Sequence, residues 1–503
     1  MADRSPLSGL LTALVLALLA FAAAALMAWF VTERLPHLED EIAYLFQART
    51  YARGALWAPA PQTQRAFSTP FVVGVKGRWL GKYAIGWPLV LAVGERLGIG
   101  WLVNPLLGAL TVVLVFLLAR DLFDWQVGLI AGLLALTSPF FLIQSSTYMS
   151  HAAAALWAAL LAYALLQIDR SHEARQPTWR WAVAGGVALG LLTLTRALTA
   201  FAVTLPYAIW LLVRAARRPH SIPALARRYG PLVLVAALIA ALQPLYLYIA
   251  TGSPTTNLYT LVWPYDRLGF GPGIGPYGGH TLRQALFTAR RDLALWSGEL
   301  FGWPYLSWLP LLLGLWFGWQ EVEPHRRAWP VLLLAPFLSL VLVYLVYWIG
   351  AQVYGPRYYY EAHAGLCVLA AVSLRGVARR LTRRKWPTYA LPAALIALNL
   401  GLYLPRRITF WHGLYGITRA PLDELDTLRA GEDALVFVRG GHWTDYGLLF
   451  ALNSPWFDGP VIAAHDINPA YNAAVQVHHP GRSVWYYADG RFTRERPPPS
   501  ENN

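Results

Sequence analysis

Three consecutive acids, Glu39, Asp40 and Glu41, follow directly on the first long apolar run of the chain. A carboxylate beside a membrane can take the proton of an attacking hydroxyl, and acids at such a point also suit the positive end of a helix. Ile42, Leu45, Phe46 and Arg49 then fall at helical spacing, which predicts an amphipathic helix lying along the membrane surface. Further on, Lys76-Gly-Arg-Trp-Leu-Gly-Lys82-Tyr83 brings three cations and flexible glycine into the same loop. Carboxylates and cations at one surface suit a reaction on an anionic, lipid-anchored substrate. The chain has 41 basic residues and writes almost all of them as arginine, so the lysines stand out. An ammonium is a compact point charge for a phosphate, which singles out Lys82. The competing reading is a lysine snorkelling at the head of a short helix.

Late in the chain, Gly355-Pro356-Arg357-Tyr358 precedes Glu361 and His363. The Gly-Pro turn would present the Arg357 guanidinium at the surface, where it can fork onto a phosphate or anchor headgroups beside the tyrosines. Glu361 and His363 lie about a turn further on and are candidates to orient it or to bind sugar hydroxyls. His151 and Arg196 interrupt apolar sequence at expected turns. A turn alone accounts for Arg196, whereas His151 is retained as a candidate substrate contact; no neighbour at ligand spacing indicates a metal there. The glycine-dense stretch 268–280 has no strand before it and no Lys-Ser/Thr after it, so it is not a phosphate cradle. A passive loop is its default reading and an acceptor-facing lid the alternative. Glu299, just beyond that loop, is a further candidate for sugar or acceptor contact.

The elements that must position these residues are membrane spans. Of 503 residues, 56% are hydrophobic and 14% charged, which excludes a water-soluble enzyme. A bilayer core of ~30 Å takes about 20 apolar residues per helix, and that ruler finds about eleven candidates: 7–30, 100–120, 127–147, 150–168, 180–195, 197–213, 231–250, 304–320, 330–350, 360–376 and 387–404. The segment 83–98 is shorter and broken by Gly86, Pro88, Gly94 and Gly98, which predicts a half-membrane or interfacial helix. Short connectors near 169–179, 214–230, 321–329 and 375–386 are arginine-dense, so the amino terminus is expected in the cytoplasm. The formal charge of +14 is then a matter of orientation, not of nucleic-acid binding. A first loop, 31–99, a second loop, 251–303, and the tail beyond 404 are expected outside. The single cysteine, Cys367, excludes an intramolecular disulfide.

The expected organisation is a transmembrane domain, 1–404, and a small extracytoplasmic α/β domain, 405–503. In the latter, Ala434–Val438, 459–463 and 483–487 read as short buried strands, with a helix near 443–452 and a disordered end from Arg496. No internal repeat is evident, which weighs against transporters built from duplicated halves.

The motifs Pro36-His37-x-x-Asp40-Glu41-x-x-Tyr44, Gly81-Lys82-Tyr83-x-x-Gly86-x-Pro88 and Gly355-Pro356-Arg357-Tyr358 resemble the type C membrane glycosyltransferases. Within that group the motifs are similar to those of the protein O-mannosyltransferases, the lipid A aminoarabinose transferases and the transferases of lipopolysaccharide core. The resemblance spans about 1–404 in architecture. It implies inverting transfer of a hexosyl or pentosyl group from a polyprenyl-phosphate donor to a glycan, lipid or protein acceptor, at a bacterial-type inner membrane. It further implies Asp40 as general base, Glu41 as its neighbour, substitute or organiser, Lys82 and Arg357 on the donor phosphate, and His37, Tyr83 and Tyr358 among the substrate contacts. The chemistry agrees: a phosphate leaves as an anion and needs cations, not a protonating acid. The apolar lining for the lipid tail is expected from the short helix after Gly86. No cofactor is indicated; a divalent metal is used by some such enzymes, without a clear acidic cluster here beyond residues 39–41. The alternative reading is a polyprenyl-linked glycan transporter or flippase, which would carry its ionisable residues in mid-span along a path.

Overall fold

The structure, a computed structural model, describes residues 6–381 and 386–498. Among these, eight helices are long and apolar enough to cross a membrane: Leu7–Phe30, Gly100–Leu122, His151–Glu173, Ala197–Arg217, Ile222–Thr251, Pro324–Val346, Arg357–Leu381 and Pro387–Gly416. The other three expected spans are also helical but shorter: Trp125–Thr137 followed by Pro139–Gln144, Trp179–Thr195, and Trp308–Glu321. Pro139 explains the break in the first of these, since proline supplies no amide for the preceding helix and instead opens a new one capped by the Ser138 hydroxyl. The chain is a helical, multi-pass membrane protein.

The first helix, α1 (Pro6–Phe30), leads into α2 (Glu39–Ala52), which begins on the three acids. The expected helix is present, and more of it is covered by protein than an amphipathic pattern suggests. Most of α2 is buried: Tyr44 stacks near Tyr83, Phe46 meets Trp79 edge-on, and Arg49 donates to the Ala451 carbonyl of the tail. The polar face that a sequence assigns to solvent is thus taken up by other parts of the protein. A small antiparallel sheet, β1 (Ala58–Pro59), β2 (Val72–Val75) and β3 (Arg78–Gly81), follows, and its last strand delivers Lys82 and Tyr83. Next comes the short helix α3 (Gly86–Arg96), as the broken apolar run predicts. Gly86 lies against the Leu194 backbone, so closely that a Cβ there would sit 2.6 Å from the Leu194 carbonyl carbon.

The tail carries a four-stranded sheet of order β5-β4-β6-β7, with β4 (Ala434–Val438), β5 (Val461–His465) and β6 (Ser483–Ala488) parallel and β7 (Arg491–Thr493) antiparallel at the edge. Helices Trp443–Phe450 and Pro469–His478 supply the crossovers that parallel pairing requires. β4 is buried along its whole length, which is why it reads as an unbroken apolar run. Arg53, just after α2, makes a two-pronged ion pair with Asp458 and ties this sheet domain to the first loop. Of the end expected to be disordered, residues 499–503 lie outside the described residues, while Arg496 is ordered against Asp466.

Candidate active site

The amino end of α2 and the exit of β3 meet at a cavity of about 390 Å³. Asp40 lines it, accepting a short hydrogen bond from the Tyr83 hydroxyl, with its other oxygen 3.6 Å from Arg357 Nη2. Its side chain keeps 24% exposure, so a hydroxyl entering the cavity can reach it. Arg357 is set by the turn at Gly355, where φ is +77° and a side chain would press on Phe140. Its Nη1 donates to the Val353 carbonyl at 3.2 Å, while its buried Nε has no hydrogen-bond partner among the described residues.

Lys82 occupies a cage. Its ammonium lies 3.5 Å from the Phe71 ring centre and 4.7 Å from that of Trp263, with Tyr259 and Tyr83 slightly further off. Asp266 stands 3.9 Å away and is itself held by the Trp348 indole N–H at 3.0 Å. Burial lowers the lysine pKa against the opposing pull of Asp40, Asp266 and Glu39. The side chain is only 4% exposed, which rejects the reading of a lysine snorkelling into open water.

Arg196, which its turn position alone had explained, lines the same cavity. It donates to the hydroxyls of Thr199 (3.1 Å), Ser150 (3.3 Å) and Tyr344 (3.1 Å), and its Nε lies 3.5 Å from Glu361. Glu361 in turn contacts His151 Nδ1 at 3.0 Å. His151 and Glu361 are both buried and do not line the cavity; they form a floor behind Arg196 that fixes it. Ser150 also bonds the Tyr44 hydroxyl (3.2 Å), so the network runs from α2 to the floor. Tyr358 lines the cavity with its ring stacked on Tyr344, 4.6 Å between centres.

The neighbouring acids part ways. Glu41 is wholly buried and accepts from the backbone N–H groups of His37 (2.8 Å) and Tyr148 (2.7 Å) and from the Tyr354 hydroxyl (3.2 Å). It does not line the cavity, and of its three expected roles the geometry supports the organiser. Burial pushes its carboxyl up to about 7, as it does that of Glu39, which Asp40 raises further. His37 is also buried, its ring nitrogens at the carbonyls of Leu35 (3.0 Å) and Ile417 (3.2 Å), so it joins loop to tail without facing the cavity. Glu299 pairs with Arg407 at 2.6 Å, and His363 lies 3.4 Å from the Cys367 sulfur with its ring stacked on Tyr360. Neither reaches the cavity, because each is turned into helix packing that no local spacing reveals. Sequence reasoning missed Asp266, Tyr259, Tyr344 and the role of Arg196, which come together only through the fold.

The apolar share of the lining comes from Leu198, Leu247, Leu258 and Leu268. The expectation that α3 would line it is corrected: Ala84, before that helix, is the contribution from this part of the chain. Asp40, Lys82, Arg196, Asp266 and Arg357 gather around this one chamber. Among the described residues no group of three or more His, Cys, Asp or Glu is placed to hold a metal ion.

Over 91% of its length the chain superposes on 87% of ArnT from Cupriavidus metallidurans bound to undecaprenyl phosphate, at 18% identity and a TM-score of 0.58. The chain shares the fold of that protein. The apo state of the same ArnT matches over the same shares of both chains at 17% identity and a TM-score of 0.56. Residues 101–260 match the family model described as dolichyl-phosphate-mannose-protein mannosyltransferase. No curated protein is a significant sequence match. The matched segment includes Arg196 and Tyr259 of the chamber, but neither Asp40 nor Arg357.

Proposed function

We propose that the protein is an inverting glycosyltransferase that moves a sugar from a polyprenyl-phosphate donor to an acceptor hydroxyl on the extracytoplasmic side. The observation that carries this reading is one chamber in which an exposed carboxylate, Asp40, faces a set of largely buried cations, Arg196, Arg357 and Lys82, beside a leucine-lined wall. Apolar and charged linings in one chamber suit a lipid tail and its phosphate. The family match and the ArnT fold support the donor class.

In the reaction, the acceptor hydroxyl gives its proton to Asp40 as its oxygen forms a bond to the anomeric carbon. The bond from that carbon to the phosphate oxygen breaks with its electron pair, so the lipid phosphate leaves with one more negative charge. Fixed cations in a water-poor chamber stabilise that charge without reorganising. Tyr83, bonded to Asp40, positions the base. The proposed arrangement is a transmembrane domain to residue 404 and an extracytoplasmic domain beyond it, with the amino terminus in the cytoplasm. A transporter is disfavoured by the convergence of its ionisable groups on one chamber.

The test is to identify by mass spectrometry the lipid that copurifies with the full chain, and to supply polyprenyl-phosphate sugars with candidate acceptors. Release of free polyprenyl phosphate coupled to glycosylated acceptor supports the proposal. Movement of intact donor across vesicles without bond cleavage would replace it with the transporter.

A further inference from the structure

A second pocket, of about 520 Å³, lies beside the first, between the glycine-rich loop, the helix Leu282–Glu299 and the segment 348–350. Arg283, Phe287 and Arg291 project along one row of that helix at successive i+4 steps. Arg283 and Arg291 are exposed, and neither forms an ion pair or hydrogen bond with another described residue. Asp292, next to Arg291, is buried and engaged by Gln352 Nε2 at 2.7 Å. Two guanidinium groups without ion-pair partners among the described residues face one concavity, where Asp292 offsets only part of the Arg291 charge, and their planar forks match a phosphate or carboxylate. The loop that closes the pocket is anchored, not loose: Gly271 pairs with His280, and His280 Nε2 contacts the Leu345 carbonyl at 2.9 Å.

The pocket is linked to the reaction chamber through one side chain. Trp348 lines the pocket while its indole N–H holds Asp266, the carboxylate that pairs with Lys82. Phe287 and Trp348 add aromatic faces, on which sugar rings stack through their C–H bonds. A single ligand combining both features is a sugar bearing an anionic group.

We propose that this pocket holds an anionic sugar of the acceptor, carrying a phosphate or a carboxylate, next to the chamber where transfer occurs. The assignment to the acceptor rests on the transferase reading above. The alternative source of the same chemistry is a bulk lipid headgroup, with the arginines acting as interfacial anchors.

The full chain in zwitterionic nanodiscs, saturated with undecaprenyl phosphate so that the first chamber is filled, is titrated with a hexosamine 1-phosphate, a uronic acid and the neutral hexosamine. The anionic sugars should bind and the neutral one should be at least tenfold weaker. The paired variant Arg283→Gln/Arg291→Gln should weaken the anionic probes about tenfold or more, the scale of losing charge-assisted hydrogen bonds. Arg283→Lys/Arg291→Lys should fall in between, and thermal unfolding of all variants should stay close to the parent because both side chains are exposed. Unchanged probe affinity in the Gln pair would overturn the proposal. So would loss of binding in Arg357→Gln instead, which places the probe in the first chamber, or an effect of the Gln pair confined to anionic vesicles, which makes the arginines headgroup anchors. Undecaprenyl phosphate binding is measured separately, so a failure of the transferase reading would appear there and not in the sugar titration.

Discussion

Replacing Glu41 by alanine separates the organiser from the base at two adjacent acids, and its effect has a pH signature. The substitution leaves the N–H groups of His37 and Tyr148 without their acceptor. A buried orphan donor costs about 1–3 kcal/mol, so roughly 2–4 kcal/mol is expected, allowing for the partial exposure of Tyr148. Against this, the wild-type carboxyl titrates at about 7 in the fold and at 4.5 ordinarily. A raised carboxyl favours the folded state in its protonated form: the contribution is complete below 4.5 and is lost as pH rises through about 7. That gap is worth roughly 3 kcal/mol. The destabilisation caused by Glu41→Ala should therefore be full near pH 4 and shrink toward zero near pH 8. Thermal unfolding of the detergent-solubilised variant and parent across this range reads the difference directly. Glu41→Gln, which keeps one acceptor oxygen and no charge, should lose the same pH dependence and retain transfer within about tenfold, since the residue does not face the chamber. A penalty that stays constant or grows with pH would refute the reasoning, as would loss of transfer in Glu41→Gln equal to that of a variant at Asp40.

Arg196→Gln should weaken undecaprenyl phosphate binding about tenfold to a hundredfold, the range for a charge-assisted contact, as measured by titration of the purified protein; unchanged affinity would return Arg196 to a purely structural role with Glu361 and His151. Lys82→Ala and Arg357→Ala should each weaken donor binding, and the double variant should fall short of the sum because both act on one phosphate; simple additivity would mean that they serve different groups. Cysteines introduced at the exposed positions Gln64 and Thr493 should react with an impermeant thiol reagent in intact cells, while one at His220 should not; the reverse pattern would invert the topology. The native Cys367 is buried and gives a quiet background.

All eleven apolar runs became helices because a span is written in consecutive residues and its length is set by the bilayer. The strands of the tail were legible for a similar reason: Ala434–Val438 is buried on both faces and therefore apolar throughout. Asp40, Lys82 and Arg357 stood out because of the motifs they sit in, three consecutive acids, a Gly-Lys-Tyr turn and a Gly-Pro-Arg-Tyr turn. Arg196 did not, since a turn between two helices explains an arginine as well as a chamber does. Only the packing of Ser150, Tyr344 and Glu361 around its guanidinium shows which way it points. The same limit works in reverse for Glu299 and His363, whose places beside the second loop and about a turn from Arg357 suggested a site. Their partners, Arg407 and Cys367, turn them into packing instead. The helix expected after the three acids formed, but hydrophobic spacing does not say what covers a helix's polar face; here the tail and the β3 exit do.

The central claim is that Asp40 takes the proton of the acceptor hydroxyl in a chamber whose cations hold the departing lipid phosphate. Asp40→Asn keeps the size and the hydrogen-bonding reach of the side chain and removes its capacity to accept that proton. Transfer from a polyprenyl-phosphate sugar by the purified full chain should fall by about a hundredfold or more, the usual scale for losing a general base, with undecaprenyl phosphate binding retained within a few-fold. Transfer at the wild-type rate by Asp40→Asn would contradict the account.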